Sequence, residues 1–177
     1  MGARPAVKNL VFLNGTMGAG KSTVARQLRD LLAPAVYLDG DWCWDMQPFV
    51  VNDETKAMVM DNIAFLLNRF LHCTACGTVV VCWVMHQQAI VDELLARLEL
   101  KGVRFSLFTL TLTEQALIRR LRRDIEAGLR SEDVLARSCA RLPLYEAMDS
   151  VKIDVSQISA QEAAARIAAM VCAAETG

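Results

Sequence analysis

Residues Gly15 to Thr23 read Gly-Thr-Met-Gly-Ala-Gly-Lys-Ser-Thr and satisfy G-x-x-x-x-G-K-[ST] in full, with Lys21 and Ser22 in the last two places. The pattern makes sense only where a buried strand runs into a glycine-rich turn and then into a helix. Leu10-Val11-Phe12-Leu13 read as that strand, and Val24, Leu28, Leu31 and Leu32 as the apolar face of that helix. Gly15, Gly18 and Gly20 let backbone N–H groups turn inward on an anion, while Thr16, Met17, Ala19 and Thr23 complete the loop. A helix beginning near Lys21 adds the positive end of its dipole. Lys21 is expected to reach the β- and γ-phosphates of a nucleoside triphosphate, and Ser22 to offer its hydroxyl to Mg²⁺.

Bulk properties narrow the classes open to such a loop. A chain of 177 residues, 54% hydrophobic and 22% charged, is expected to form a single domain over 1–177 with a well-filled core. A net charge of −1 gives no broad electrostatic footprint for nucleic acid or an anionic membrane. Met1 to Lys8 lacks the apolar run of a signal peptide, and no window approaches a membrane-spanning length of apolar residues. Six cysteines in that setting read as reduced thiols of a cytoplasmic protein. Cys73-Thr74-Ala75-Cys76 has redox spacing beside His72, but it closes a helix before Gly77 and no second Cys or His pair completes a zinc site.

Strand and helix patterns alternate along the chain. Ala35 to Leu38 form a short apolar run ending at Asp39, followed by a polar and aromatic loop over 40–52. A long helix is expected from about Asp53 to Cys76, with Val59, Ile63, Leu66 and Phe70 on one face. Thr78 to Val84 is β-branched and apolar, as for a strand covered on both faces. Ile90, Leu94, Leu95 and Leu98 mark a helix stopped by Gly102, and 103–112 is a further strand. Thr113 opens a helix carrying Leu117, Leu121 and Ile125, and Ser131 is expected to start the next, with Glu132 and Asp133 in its first turn. Val151 to Ile153 is a last strand, and Ser159 with Glu162 forms a capping box. The alternation implies a doubly wound parallel sheet with ligands at the carboxyl ends of its strands.

Absences separate the functions that share this loop. No D-x-x-G and no N-K-x-D occur, so a GTPase switch is unsupported. The third strand, Val79-Val80-Val81-Cys82-Trp83, lacks a terminal acid of the kind an ATPase uses for Mg²⁺. The chain resembles the P-loop small-molecule and nucleotide kinases, the group that holds adenylate, shikimate and gluconate kinases and chloramphenicol phosphotransferase. The resemblance rests on the G-x-x-x-x-G-K-S-T match and on the order of elements over nearly the whole length. It implies an α/β three-layer P-loop NTPase fold, its five-stranded parallel sheet in the order 2-3-1-4-5 with helices on both faces. It also implies ATP as phosphate donor, Mg²⁺, a small-molecule acceptor and a mobile arginine-bearing lid over about 120–140.

The segment Leu38-Asp39-Gly40-Asp41-Trp42-Cys43-Trp44 is the candidate acceptor site. In the resembled kinases an acidic residue after the second strand positions the acceptor hydroxyl and takes its proton. Asp39 and Asp41 both qualify here. Asp41 is preferred because it lies beyond the strand end; Asp39 then holds Mg²⁺ through water or shares the acceptor, and a turn-capping role is open to either. Trp42 and Trp44 either wall an acceptor pocket or cover the sheet edge, and His86 after the third strand is either a further acceptor contact or a polar edge residue.

Seven of the 14 arginines fall between Arg119 and Arg141. In the resembled kinases arginines here close over ATP and neutralise the transferred phosphoryl group, which singles out Arg120, Arg123 and Arg130. The implied activity is ATP-dependent phosphotransfer to a small-molecule hydroxyl. A nucleoside monophosphate kinase is the enzymatic rival, disfavoured because Arg69 is the only arginine between the phosphate-loop helix and the end of the third strand. An ATP-binding regulatory module with little catalysis is the rival from another class.

Overall fold

The computed structural model describes residues 7–174, so most of the N-terminal stretch read above for an export signal lies outside the described residues. Five strands form one parallel sheet in the order β2-β3-β1-β4-β5. They are β1 (Lys8–Gly15), β2 (Ala35–Asp39), β3 (Thr78–Cys82), β4 (Val103–Thr111) and β5 (Val151–Asp154). The helices are α1 (Lys21–Leu31), α2 (Asp53–His72), α3 (Gln88–Ala96), α4 (Glu114–Glu126), α5 (Val134–Ala140), α6 (Leu142–Glu146) and α7 (Ala160–Ala173). This is the P-loop fold and strand order expected from the sequence.

Strand periodicity divides the core into two layers, because successive side chains point to opposite faces of a sheet. From β1, Val11 and Leu13 pack with α1 (Val24, Ala25, Leu28), α4 (Leu117, Leu121) and α7 (Ala164, Ile167). Leu10 and Phe12 face the other way, onto α2 (Val59, Ile63, Leu67) and α3 (Val91, Leu94). Every residue of β3 is buried, as an apolar run sandwiched between helical layers must be. Burying each such leucine or phenylalanine contributes about 1.5–3 kcal/mol.

Several boundaries differ from the sequence expectation. β3 ends at Cys82, not Val84, because Trp83 onward leaves the ladder toward the site. α2 stops at His72; Cys73 is extended, and Lys8 Nζ donates to the carbonyl of Phe70 (3.2 Å), which also accepts from Cys73 N (3.1 Å), and to that of Cys73. α5 begins at Val134 rather than Ser131, and Asp133 makes no side-chain cap bond. Ser131 Oγ instead donates to the Asp133 carboxylate, a local bond that competes with helix initiation. Thr113 and Ser159 do cap α4 and α7, the second as the expected capping box with Glu162. Within the 40–52 loop, Gly40–Trp44 form a turn of 3-10 helix.

Register brings the carboxyl ends of the strands level. Asp39 stands opposite Cys82 across β2 and β3, and Leu13 opposite Cys82 across β1 and β3. Everything that follows these residues in sequence therefore converges on one edge of the sheet.

Candidate active site

The phosphate loop sits at that edge, held by several anchors. Asn14 is fully buried; its Oδ1 accepts from Gly15 N (2.8 Å) and Met85 N (3.1 Å), and its Nδ2 donates to Met85 O (2.6 Å). This side chain ties the start of the loop to the segment after β3. Thr16 Oγ1 donates to Ser138 O at 3.1 Å, linking the loop to α5. Gly18 has φ +86°, and a Cβ there would meet Leu121 Cδ2 at 2.7 Å, so the loop lies directly on α4. α1 starts at Lys21 without a side-chain cap or an acidic residue in its first turn, leaving its N–H groups available to an anion.

Met17 to Thr23 line a cleft of about 530 Å³ with Asp39, Asp41, Arg120, Arg123 and Arg130, and it extends past Val155 to the start of α7. Gly15 and Thr16 are buried beneath it. Lys21 Nζ donates to Thr16 O at 3.1 Å. Burial lowers the Lys21 pKa, opposed by the neighbouring Cys82, Asp41 and Asp39. An ammonium held this way inside a cleft is placed to exchange a carbonyl partner for a phosphate oxygen.

The two carboxylates of the Asp-Gly-Asp segment have different surroundings. Asp39 is buried at the end of β2. Its Oδ2 accepts from Ser22 Oγ (2.8 Å) and Tyr37 Oη (2.7 Å), and its Oδ1 from Asp41 N (3.1 Å). Burial disfavours its charge, but the bonds from Tyr37, Ser22 and Asp41 outweigh it and hold the carboxyl below the usual aspartate range. Tyr37 and Asp39, two apart in a strand, share one face. Under them lies Cys82, 3.2 Å from Tyr37 Oη, its thiol pushed by burial up to about 12. Asp41 accepts no such bonds. It stands at the mouth of the cleft, where desolvation by the walls and then the Asp39 charge raise its pKa, with Lys21 and Arg130 pulling the other way.

A second cavity of about 830 Å³ opens on the far side of the same aspartates. Trp42, Trp44 and His86 line it, as do Lys56 from α2, Trp83, and Arg137 and Arg141 around α5. Met17, Asp39, Asp41 and Val84 line both cavities. Trp42 is exposed and meets Tyr37 edge-on at 5.4 Å. Trp44 is half-buried against the α2 layer and lies 5.9 Å from Phe49. Trp83 closes over Gly40, where a Cβ would meet its Cγ at 2.4 Å, so only glycine fits between the aspartates. His86 is half-buried, and burial followed by the Arg141 charge lowers its pKa.

The arginines expected in a lid divide by partner. Arg120 donates to Ala19 O at 3.2 Å and to Val155 O, joining α4 to the phosphate loop and to the segment after β5. Arg130 pairs with Asp124 at 3.1 Å, and Arg123 is exposed on the cleft wall. Arg119 and Arg122 are exposed and line neither cavity, nor does Arg69. Arg137 and Arg141 belong to the second cavity although neither was singled out from the sequence, because only the fold turns α5 back over the β2 edge. Tyr37 carried a readable signal, the period-two spacing to Asp39. Cys73 and Cys76 precede β3, at the opposite end of that strand from these groups, and among the described residues no cluster of three or more His, Cys, Asp or Glu residues could hold a metal ion.

Residues 11–137 match the protein family described as AAA domain, 127 of 177 positions. The chain belongs to that family. Among curated proteins none matches the sequence. Solved structures share the fold along almost the whole length. The tunicamycin resistance protein of Deinococcus radiodurans superposes with a TM-score of 0.68 at 21% identity, covering 93% of this chain and 95% of its own. A shikimate kinase from Acinetobacter baumannii in complex with shikimate gives 0.65 at 23% identity, covering 95% of each chain. A gluconokinase from Sinorhizobium meliloti gives 0.62 at 19% identity, over 96% of this chain and 98% of that one. The architecture is thus that of P-loop small-molecule kinases. No helix among the described residues is long and apolar enough to cross a membrane.

Proposed function

We propose that this chain is an ATP-dependent phosphotransferase that moves the γ-phosphate to a hydroxyl of a small molecule, with residues 1–177 acting as one domain and about 120–140 as its lid. One observation carries the reading: Asp41, which among the described residues accepts no hydrogen bond from a side chain, lines both the cleft of the phosphate loop and the cavity beyond it. A carboxylate there is placed to orient an acceptor hydroxyl and take its proton. Lys21 and the loop amides bind the β- and γ-phosphates. Arg123 and Arg130 offset charge on the transferred group, and Arg120 holds the nucleotide side of the cleft together.

Ser22 Oγ and Asp39 Oδ2, 2.8 Å apart at the mouth of the loop, are hard oxygen donors that fit Mg²⁺, Ser22 directly and Asp39 through water. Bound there, the ion supplies positive charge to the phosphate oxygens. Asp39 thus takes the place of the acid that β3 lacks, from the neighbouring strand end. The shared fold with a shikimate kinase and a gluconokinase supports the small-molecule class.

The test is a pair of variants. Lys21→Ala is expected to abolish transfer with the fold retained by circular dichroism. Asp41→Asn is expected to lower kcat at least about 100-fold while ATP affinity stays within about threefold, because a base acts on the transfer step alone. Transfer at the parental rate in Asp41→Asn removes it as the base. Arg137 and Arg141 in the second cavity favour one alternative, a phosphorylated acceptor. Turnover of nucleoside monophosphates, insensitive to Asp41→Asn, would select it.

A further inference from the structure

The second cavity has a wall and an end of different chemistry. Trp42, Trp44, Phe49 and Trp83 form the wall. Trp42 and Phe49 are 57% and 66% exposed and face a cavity that is partly open to solvent and large enough for a molecule of drug size. Aromatic area left this open gains about 25 cal/mol for each Å² that a ligand covers. Stacking on a rigid ring adds to that gain.

The polar lining is mostly spent internally. Lys56 pairs with Asp53 at 3.3 Å, Arg137 with Asp133 at 3.2 Å, and Glu93 with Arg97 at 2.6 Å. Asp39 is held by Ser22 and Tyr37. Among the described residues two polar groups of the interior end remain without a partner. The Arg141 guanidinium is half-buried with no ion pair, and His86 Nδ1 is buried with no hydrogen bond. The two lie close enough for the arginine charge to act on the imidazole. Asp45 sits exposed at the rim.

We infer that the acceptor is an alcohol with a flat, largely apolar body that stacks on Trp42 and Phe49, offers its hydroxyl to Asp41 and places one carbonyl or carboxylate oxygen at Arg141. This rests on the phosphotransferase reading and names its substrate class. A sugar or other polyol stacked on these rings would cover less apolar area per face and would have to desolvate hydroxyls against aromatic carbon to do so. In the transfer, the bond from the γ-phosphorus to the bridging oxygen of ATP breaks and a bond to the acceptor oxygen forms. The hydroxyl proton passes to Asp41, and the products are ADP and a phosphate monoester.

The full chain with ATP and Mg²⁺ is assayed by phosphorus NMR against three sets of compounds. These are hydroxymethyl-substituted aromatic acids and amides, polyols and sugar acids of equal size, and nucleoside monophosphates. Binding of the same compounds in the presence of a non-hydrolysable ATP analogue is followed separately by quenching of tryptophan fluorescence. The aromatic alcohols are expected to exceed polyols in kcat/KM by at least about tenfold, with Trp42→Ala raising KM about tenfold and leaving kcat within about threefold. Arg141→Ala should raise KM for acids and amides, with part of the loss recovered in Arg141→Lys. Trp42 is exposed, so its replacement does not threaten folding.

Faster transfer to polyols, or a KM unmoved by Trp42→Ala, overturns the inference and leaves the phosphotransferase reading standing; faster transfer to monophosphates overturns both the inference and the hydroxyl acceptor. Saturable binding of the aromatic alcohols with no transfer to any compound keeps the inferred ligand class and overturns the phosphotransferase reading. Absence of both binding and transfer for the aromatic set overturns the inference.

Discussion

Asp39 and Asp41 are separated by one glycine, yet their carboxyls are driven in opposite directions. Three hydrogen bonds keep Asp39 ionised, whereas desolvation and its neighbour's charge make Asp41 harder to ionise. A base acts only when deprotonated, so the raised pKa of Asp41 places the acid limb of the kcat/KM profile above the pH at which an ordinary aspartate titrates. That limb should disappear in Asp41→Asn and persist in Asp39→Asn; a limb unchanged by Asp41→Asn would assign it elsewhere. Tyr37 belongs to the same scale. Tyr37→Phe removes a donor to a buried carboxylate and is expected to cost about 1–3 kcal/mol at neutral pH. The sign with pH follows from the lowered folded-state pKa. Asp39 contributes stability above its unfolded pKa and loses it as pH falls through the folded value. The difference between Tyr37→Phe and the parent, measured by urea unfolding, should therefore shrink as pH drops below the aspartate range. A difference that grows toward acid would contradict the network.

At the scale of elements, the parts most legible in the sequence were those fixed by local rules. Ser159 and Glu162 cap α7 as their spacing requires, and Gly15 to Thr23 bend between β1 and α1 as the motif demands. Ser159→Ala is accordingly expected to cost about 1 kcal/mol, a fall of roughly 2–4 °C in Tm for a chain of this size, read by calorimetry. An unchanged Tm would mean that packing against α1 alone holds the helix start. Elements set by tertiary contact were less legible. Ser131 has the residue type of an N-cap, but its hydroxyl turns to Asp133 and α5 waits until Val134, whose side chain is buried. The short α6 carries no periodic signal, since five residues cannot display a helical period. Arg141, between the two, reaches the second cavity only because α5 and α6 fold back, a placement no local pattern encodes.

Across the whole molecule, the level strand ends convert a linear order into two cavities that meet at the carboxylates of Asp39 and Asp41. The phosphate side was legible because its chemistry depends on backbone shape and on Lys21 and Ser22 at fixed spacing. Of the second cavity, Trp42, Trp44 and His86 were legible as candidates, whereas Lys56 of α2 and Arg137 and Arg141 around α5 come from regions distant in sequence and join them only by packing. The same distinction explains why the missing acid of β3 is no defect: register sets Asp39 of β2 beside Cys82, where it reaches Ser22. The most direct test of the account is phosphorus NMR of the protein with ATP, Mg²⁺ and the hydroxyl panel. The expected result is a new phosphate monoester formed in equal amount with ADP, and lost in Asp41→Asn. Nucleotide bound at Lys21 with no monoester from any acceptor, or ADP released with free phosphate alone, would contradict it.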